Sequence, residues 1–274
     1  SFSSRHFVSR ATSYPKNLIG ISSVIYEFEI THRPENFQIG QLFKKSVLSQ
    51  IPKIIHYCWF GDTEMSATVE NCILTWKKHL SDYKLIFWNE TNFKSSSNFY
   101  EYAIDNRQWA FAADYARLAI LYKYGGIYLD TDMYVISSFE ELLQDEFFMG
   151  IENTGRVSCG IIGTRPNHET LKAILDQYDS LKLDEACFKI AITKRFTRFF
   201  FKKYSLEILE DRDYNLEDAK LYKSDYFYPY PYNKNQKLNK NFLNFIQPKT
   251  LAIHLWEGSW LGYSEFEYLR RRQY

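Results

Sequence analysis

The sequence predicts an α/β fold: a mixed, mainly parallel central sheet flanked by helices. Three observations carry that prediction. Residues 53–88 run as a short apolar stretch, a helical pattern and a second apolar stretch, the rhythm of a βαβ unit. Residues 109–124 form a long helical pattern that stops at Gly125-Gly126 and passes into Ile127-Tyr128-Leu129. The chain has 274 residues, 45% of them hydrophobic, which suits one large domain or a domain with an extension.

Taken in order, residues 1–50 read differently from the rest. Residues 1–13 are polar and basic, Tyr14-Pro15 interrupts them, and residues 24–30 end in strand-like alternation. We expect an N-terminal extension, 1–50, packed on a main domain, 51–274. That domain opens with a buried strand in 53–60, closed by Gly61-Asp62. Ser66 is placed to cap a helix over 66–80, with Val69, Cys72, Ile73 and Trp76 at helical spacing. Residues 83–88 form the next strand.

In the 109–124 helix, Phe111, Tyr115, Leu118, Ala119 and Tyr122 make one apolar stripe. The strand after it ends on Asp130-Thr131-Asp132, at the sheet edge where α/β proteins bind ligands. Strands follow at 147–151 and 160–163, a helix at 168–180, and a Pro-punctuated aromatic loop at 224–233. A last strand covers 251–255. Residues 188–204 mix Lys189, Lys194, Arg195, Arg198, Lys202 and Lys203 with phenylalanines, a pattern for a helix with a solvated basic face. The same pattern, with Arg270-Arg271-Arg272, would allow a peripheral contact with an anionic membrane.

Composition excludes several classes. Net charge is +1, so no global field points to nucleic acid. Cys58, Cys72, Cys159 and Cys187 form no CxxC pair, which argues for buried thiols in a reducing compartment and against a zinc site. No apolar run approaches the ~20 residues of a membrane span. A cytoplasmic location, or one at the inner membrane face, is expected, with secretion as an effector the alternative.

The chemistry centres on Asp130 and Asp132. Two residues apart in extended chain, they point the same way. Two carboxylates ~6 Å apart repel by roughly 3 kcal/mol at an effective dielectric near 20, and a cation, a proton or full solvation is needed for them to coexist near neutral pH. Oxygen ligands suit Mn²⁺ or Mg²⁺, which can hold the phosphates of a nucleoside diphosphate. A solvated acidic turn is the bland alternative, disfavoured by the Gly-Gly break and the buried strand. Haloacid dehalogenase-type phosphatases also use Asp-x-Asp after a strand, but Tyr134 stands where they carry a small residue. Asp114 and Arg117, three apart, share a helix face, either as a surface ion pair or as the wall of a cleft. His56, Trp76 and Trp109 read as structural.

The segments IPKIIHYCWFG, FAADYARLAILYKYGGIYLDTDM and IHLWEGSW resemble those of glycosyltransferase family 32, whose core is similar to that of the glucosylating clostridial toxins. The resemblance covers residues 51–165 and 248–262. It implies a GT-A type fold, a nucleoside-diphosphate sugar donor (a UDP-sugar favoured, GDP-mannose allowed), Mn²⁺ or Mg²⁺, and transfer with retention. By resemblance, Trp59 stacks on the donor base, and Asp114 and Arg117 hold the donor sugar and support catalysis. Tyr128 lines the pocket, Asp130 lies near ribose, sugar and metal, and Asp132 binds the metal directly. Glu257, Ser259 and Trp260 resemble the closing segment. The third protein ligand is open between Glu257, Ser259 and His254, whose imidazole can bind Mn²⁺.

A hexose or N-acetylhexosamine would thus pass to a glycan or lipid-linked hydroxyl, in surface polysaccharide synthesis. The acceptor is expected under the 226–232 loop, near Ser158. No carboxylate stands out as a nucleophile, which points to a front-face mechanism. A toxin-like transferase acting on a host protein is the alternative. A non-catalytic sugar-binding module is a further one.

Overall fold

The computed structural model describes residues 50–232 and 241–257. The expectations for 1–49, Ser259, Trp260 and Arg270-Arg271-Arg272 lie outside the described residues. Strand β1 (Ile54–Cys58) is followed by α1 (Ala67–His79) and β2 (Lys84–Trp88). The Ser66 hydroxyl accepts the Val69 N–H at 3.2 Å, satisfying one open donor of the first turn. Val69, Cys72 and Trp76 are the buried face of α1, and Lys77, Lys78 and His79 sit at its C-terminus, where the helix dipole favours cations.

Then come α2 (Asn98–Asp105), α3 (Trp109–Tyr124), β3 (Gly126–Leu129) and β4 (Met133–Val135). The hairpin β5 (Phe147–Asn153) and β6 (Arg156–Thr164) precedes α4 (Glu169–Asp179) and α5 (Ile192–Lys203). Strands β7 (Tyr214–Asn215), β8 (Lys220–Tyr222) and β9 (Ala252–His254) complete the order.

The mixed, helix-flanked sheet that the sequence predicts is present, with strand order β2-β1-β3-β6-β5-β8-β7. β1 runs parallel to β2 and β3, β5 is parallel to β8, and β6 and β7 run against their neighbours. A separate antiparallel pair joins β4 to β9, with Met133 opposite His254.

α3 departs from the expected single stripe. Asp114, Tyr115, Ala116, Arg117 and Leu118 are all buried, whereas Phe111, Ala119 and Tyr122 are only partly so. The cause is packing from several sides, since α3 touches α2, α4 and the sheet. Gly125 and Gly126 take φ of 62° and 97°, backbone that glycine adopts without a Cβ penalty. A Cβ on Gly126 would lie 2.8 Å from the Ile54 carbonyl oxygen, so glycine also lets β3 enter beside β1.

Three expectations change. The strand read at 160–163 is longer, because Ser158 and Cys159 are already buried in β6. The 224–233 aromatic loop turns inward: Tyr226, Phe227, Tyr228 and Tyr230 are buried, and Tyr232 is 39% exposed. In α5, Arg195 is buried against Tyr178, so it leaves the basic face, while Lys194, Arg198, Lys202 and Lys203 are exposed. The four cysteines are buried and unbonded. Among the described residues no helix is long and apolar enough to cross a membrane.

Candidate active site

The C-terminal end of β3 meets α3 and β6 at a cavity of about 200 Å³, lined in part by Asp114, Arg117, Asp130, Asp132 and His254. Arg117 organises its floor. One guanidinium nitrogen lies 3.0 Å from Asp130 Oδ1 and donates to the Cys159 carbonyl at 2.9 Å. The other lies 3.2 Å from Asp114 Oδ1. The guanidinium carbon sits 4.4 Å from the centre of the Tyr128 ring, whose π face favours a cation. Burial opposes charge on Arg117, but Asp130 and Asp114 outweigh it and raise its pKa further. Asp114 is the reverse case. Burial pushes its carboxyl up to about 6, against the attraction of Arg117 and a hydrogen bond from the Ile192 N–H at the start of α5.

The opposite edge comes from β9. Pairing with β4 carries His254 to the Asp pair, with Nε2 3.1 Å from Asp132 Oδ1 and 3.7 Å from Asp130 Oδ2. Gly160 opposite permits this approach, since a Cβ there would lie 3.0 Å from His254 Cδ2. Each carboxylate has its second oxygen engaged: Asp130 Oδ1 by Arg117, Asp132 Oδ2 by the Glu257 N–H at 2.8 Å. One oxygen of each therefore faces the imidazole. The three candidate ligand atoms lie within 4.8 Å of one another. Burial disfavours charge on His254, yet Asp132 and Asp130 lift it to about 10. The imidazolium thus balances charge that a divalent ion would balance. Two oxygens and one nitrogen with open positions fit Mn²⁺, and Mg²⁺ with less help from nitrogen.

Not every anticipated residue joins this cluster. Glu257 contributes its backbone N–H, while its carboxylate accepts from the Ser66 hydroxyl at 2.7 Å, so His254 stands with the two aspartates where Glu257 was also a candidate. Tyr128 is 2% exposed and supports Arg117 from behind instead of lining the cavity. Trp59 is half-buried outside the cavity lining, its indole donating to the Thr63 carbonyl at 2.7 Å. His56 is structural, as read: its ring lies between the Gly125 carbonyl and the Trp88 indole.

Sequence reasoning gave no role to Glu152 or Trp256, which also line the cavity. No local signal marks Glu152, because only the β5–β6 pairing brings it there.

Residues 66–149, which span the Asp pair, match the family described as the glycosyltransferase sugar-binding region containing the DXD motif. This stretch of the chain is thus similar to a DXD glycosyltransferase region. An uncharacterized glycosyltransferase of Acanthamoeba polyphaga mimivirus is 34% identical over 133 residues, 43% of this chain and 51% of that protein. The human alpha-1,4-N-acetylglucosaminyltransferase is 34% identical over 113 residues, 39% of this chain and 29% of that protein. The chain thus spans about half or less of these curated relatives. Among solved structures, the PaToxG glycosyltransferase aligns with a TM-score of 0.47 and 20% identity, covering 61% of this chain and 78% of that one. In this DXD region, Asp130 and Asp132 are the motif's two acids.

Proposed function

We propose that this chain is a metal-dependent glycosyltransferase that moves a hexose or N-acetylhexosamine from a nucleoside-diphosphate sugar to a glycan hydroxyl, with retention. The observation that carries the reading is the convergence of Asp130, Asp132 and His254 within 4.8 Å, in the same cavity as the buried Asp114–Arg117 pair. Asp130, Asp132 and His254 would hold Mn²⁺ or Mg²⁺, which when bound neutralises charge on a diphosphate leaving group.

The chain's own residues do the rest. Arg117, anchored by Asp114, Asp130, Cys159 and Tyr128, is a cation held in place before substrate arrives, which favours binding of phosphate or sugar oxygens. Asp114 accepts hydrogen bonds from donor-sugar hydroxyls when ionised, which its pKa near 6 allows at neutral pH. Trp59, Ser259 and Trp260 close on the donor in this reading, a UDP-sugar ahead of GDP-mannose. The relatives' names support the sugar-transfer class. A lipid-linked acceptor and surface polysaccharide synthesis belong to the same proposal. The exposed Lys194, Arg198 and Lys202, four apart on α5, support a peripheral contact with an anionic membrane.

The test is cleavage of UDP-glucose, UDP-galactose, UDP-N-acetylglucosamine and GDP-mannose with Mn²⁺, with Mg²⁺ and with chelator. Cleavage of at least one donor, lost with chelator, is the expected result. Full activity in chelator would refute metal dependence.

A further inference from the structure

The β5–β6 hairpin brings to the cavity a carboxylate that the donor site leaves unused. Glu152 lines the cavity with its side chain 8% exposed. Ile151 pairs with Val157 and Asn153 with Arg156, so Glu152 is the extra residue at a slip in register. Such a bulge bends a strand and re-aims its side chain, and bulges gather beside active sites. Glu152 Oε1 takes both the Arg156 guanidinium and the Asn153 amide. Its Oε2 has no partner among the described residues. Ser158, on the facing strand, lines the same cavity.

Two aromatic rings adjoin these polar groups. Tyr232, 39% exposed, stands edge-on to Trp256, with centroids 5.5 Å apart. Trp256 stands edge-on to His254 at 4.0 Å, so the aromatic pair leads away from the Asp–His cluster. Its indole N–H is tied to the Tyr230 carbonyl at 2.8 Å, which fixes the ring. A ring face beside an acceptor-only carboxylate matches a pyranose, which offers a C–H face and hydroxyl donors. A phosphate or sugar acid would bring only acceptor oxygens to Glu152, which when ionised has no proton to donate.

We propose that Glu152, Tyr232 and Trp256 form the acceptor subsite, and that it takes an uncharged pyranose, its C–H face on Tyr232 and a hydroxyl donating to Glu152. This rests on the glycosyltransferase reading above.

The test uses the whole chain with Mg²⁺ and UDP, and saturation-transfer NMR of methyl β-galactoside, methyl β-glucoside and methyl α-mannoside. Wild type is expected to saturate the ring protons of at least one glycoside. Tyr232→Ala and Glu152→Gln should weaken that glycoside's binding by about tenfold or more, the scale of one lost contact in a specificity pocket. Tyr232→Phe should keep it, since stacking needs only the ring. UDP binding, followed by calorimetry in the same samples, reports the donor reading separately. Wild type that binds UDP but no glycoside overturns the proposal, as does unchanged glycoside binding in Tyr232→Ala. Failure of wild type to bind either UDP or, in a parallel titration, GDP overturns the glycosyltransferase reading and this subsite with it.

Discussion

Two buried histidines, His56 at 0% exposure and His254 at 8%, meet opposite fates. His56 sits in β1 with neutral neighbours on both ring nitrogens, and burial drives its pKa down to about 4. His254 sits in β9 against two carboxylates, which lift it to about 10 over the same opposing effect of burial. Burial is therefore not what distinguishes a structural histidine from a candidate ligand. The charges it faces do so, and here they are delivered by one strand pairing, β4 with β9.

The comparison breaks most visibly at Asp132. Asp132→Asn should cut turnover on the order of 10²–10³-fold, the cost of removing one preorganised electrostatic group. Steady-state rates on the donor that the screen identifies measure it. A fall below threefold would detach the acid pair from catalysis.

His254→Ala should weaken Mn²⁺ binding by at least the ~10–100-fold that even an outer-sphere partner is worth. His56→Ala should leave the Mn²⁺ affinity of the folded protein within a few-fold. Titration followed by electron paramagnetic resonance compares the two directly.

The pH dependence of stability sharpens the contrast, because the signs differ. The folded state resists the proton that the unfolded chain's His56 takes up below 6.5. Stability therefore falls as pH drops from 6.5 towards 4, by about 3 kcal/mol over that window. In metal-free protein, His254 contributes stability that is fully present below 6.5 and is lost as pH rises through about 10. Urea unfolding across pH should show the acid limb flattened by His56→Gln and the alkaline limb flattened by His254→Gln. Identical limbs in both variants would contradict the assignment.

The smallest effect is at Gly160. A Cβ there would stand 3.0 Å from His254 Cδ2, tight enough to shift the ring by a few tenths of an ångström. Gly160→Ala should weaken Mn²⁺ binding by less than about tenfold, leaving UDP binding intact. A calorimetric titration with each ligand resolves the two.

Much of this fold was legible because its signals are local. Ser66 caps α1, Gly125-Gly126 ends α3, and alternating helix and strand patterns set the first β1–α1–β2 unit. The Asp pair was legible for the same reason, since Asp130 and Asp132 are neighbours in sequence and share a strand tip. What could not be read depends on pairing between distant segments. Met133 faces His254 across 121 positions only through the β4–β9 ladder, and no periodicity in either segment reports it. The choice between His254 and Glu257 was open for that reason, and the hydrogen bond from Ser66 to Glu257 decides where that carboxylate points. Asp114 and Arg117 carried too little local signal to tell a surface pair from a buried one. Their burial follows from the packing of α2 and α4 around α3. Glu152 lay beyond sequence reading altogether, because it is a register slip in β5 that brings it to the cavity wall.

The most direct measurement is Mn²⁺ binding by electron paramagnetic resonance to wild type, Asp132→Asn and His254→Ala, each checked for native folding by circular dichroism. A single wild-type site weakened at least tenfold in both variants is the outcome this account predicts. Equal Mn²⁺ affinity in all three folded proteins would contradict it.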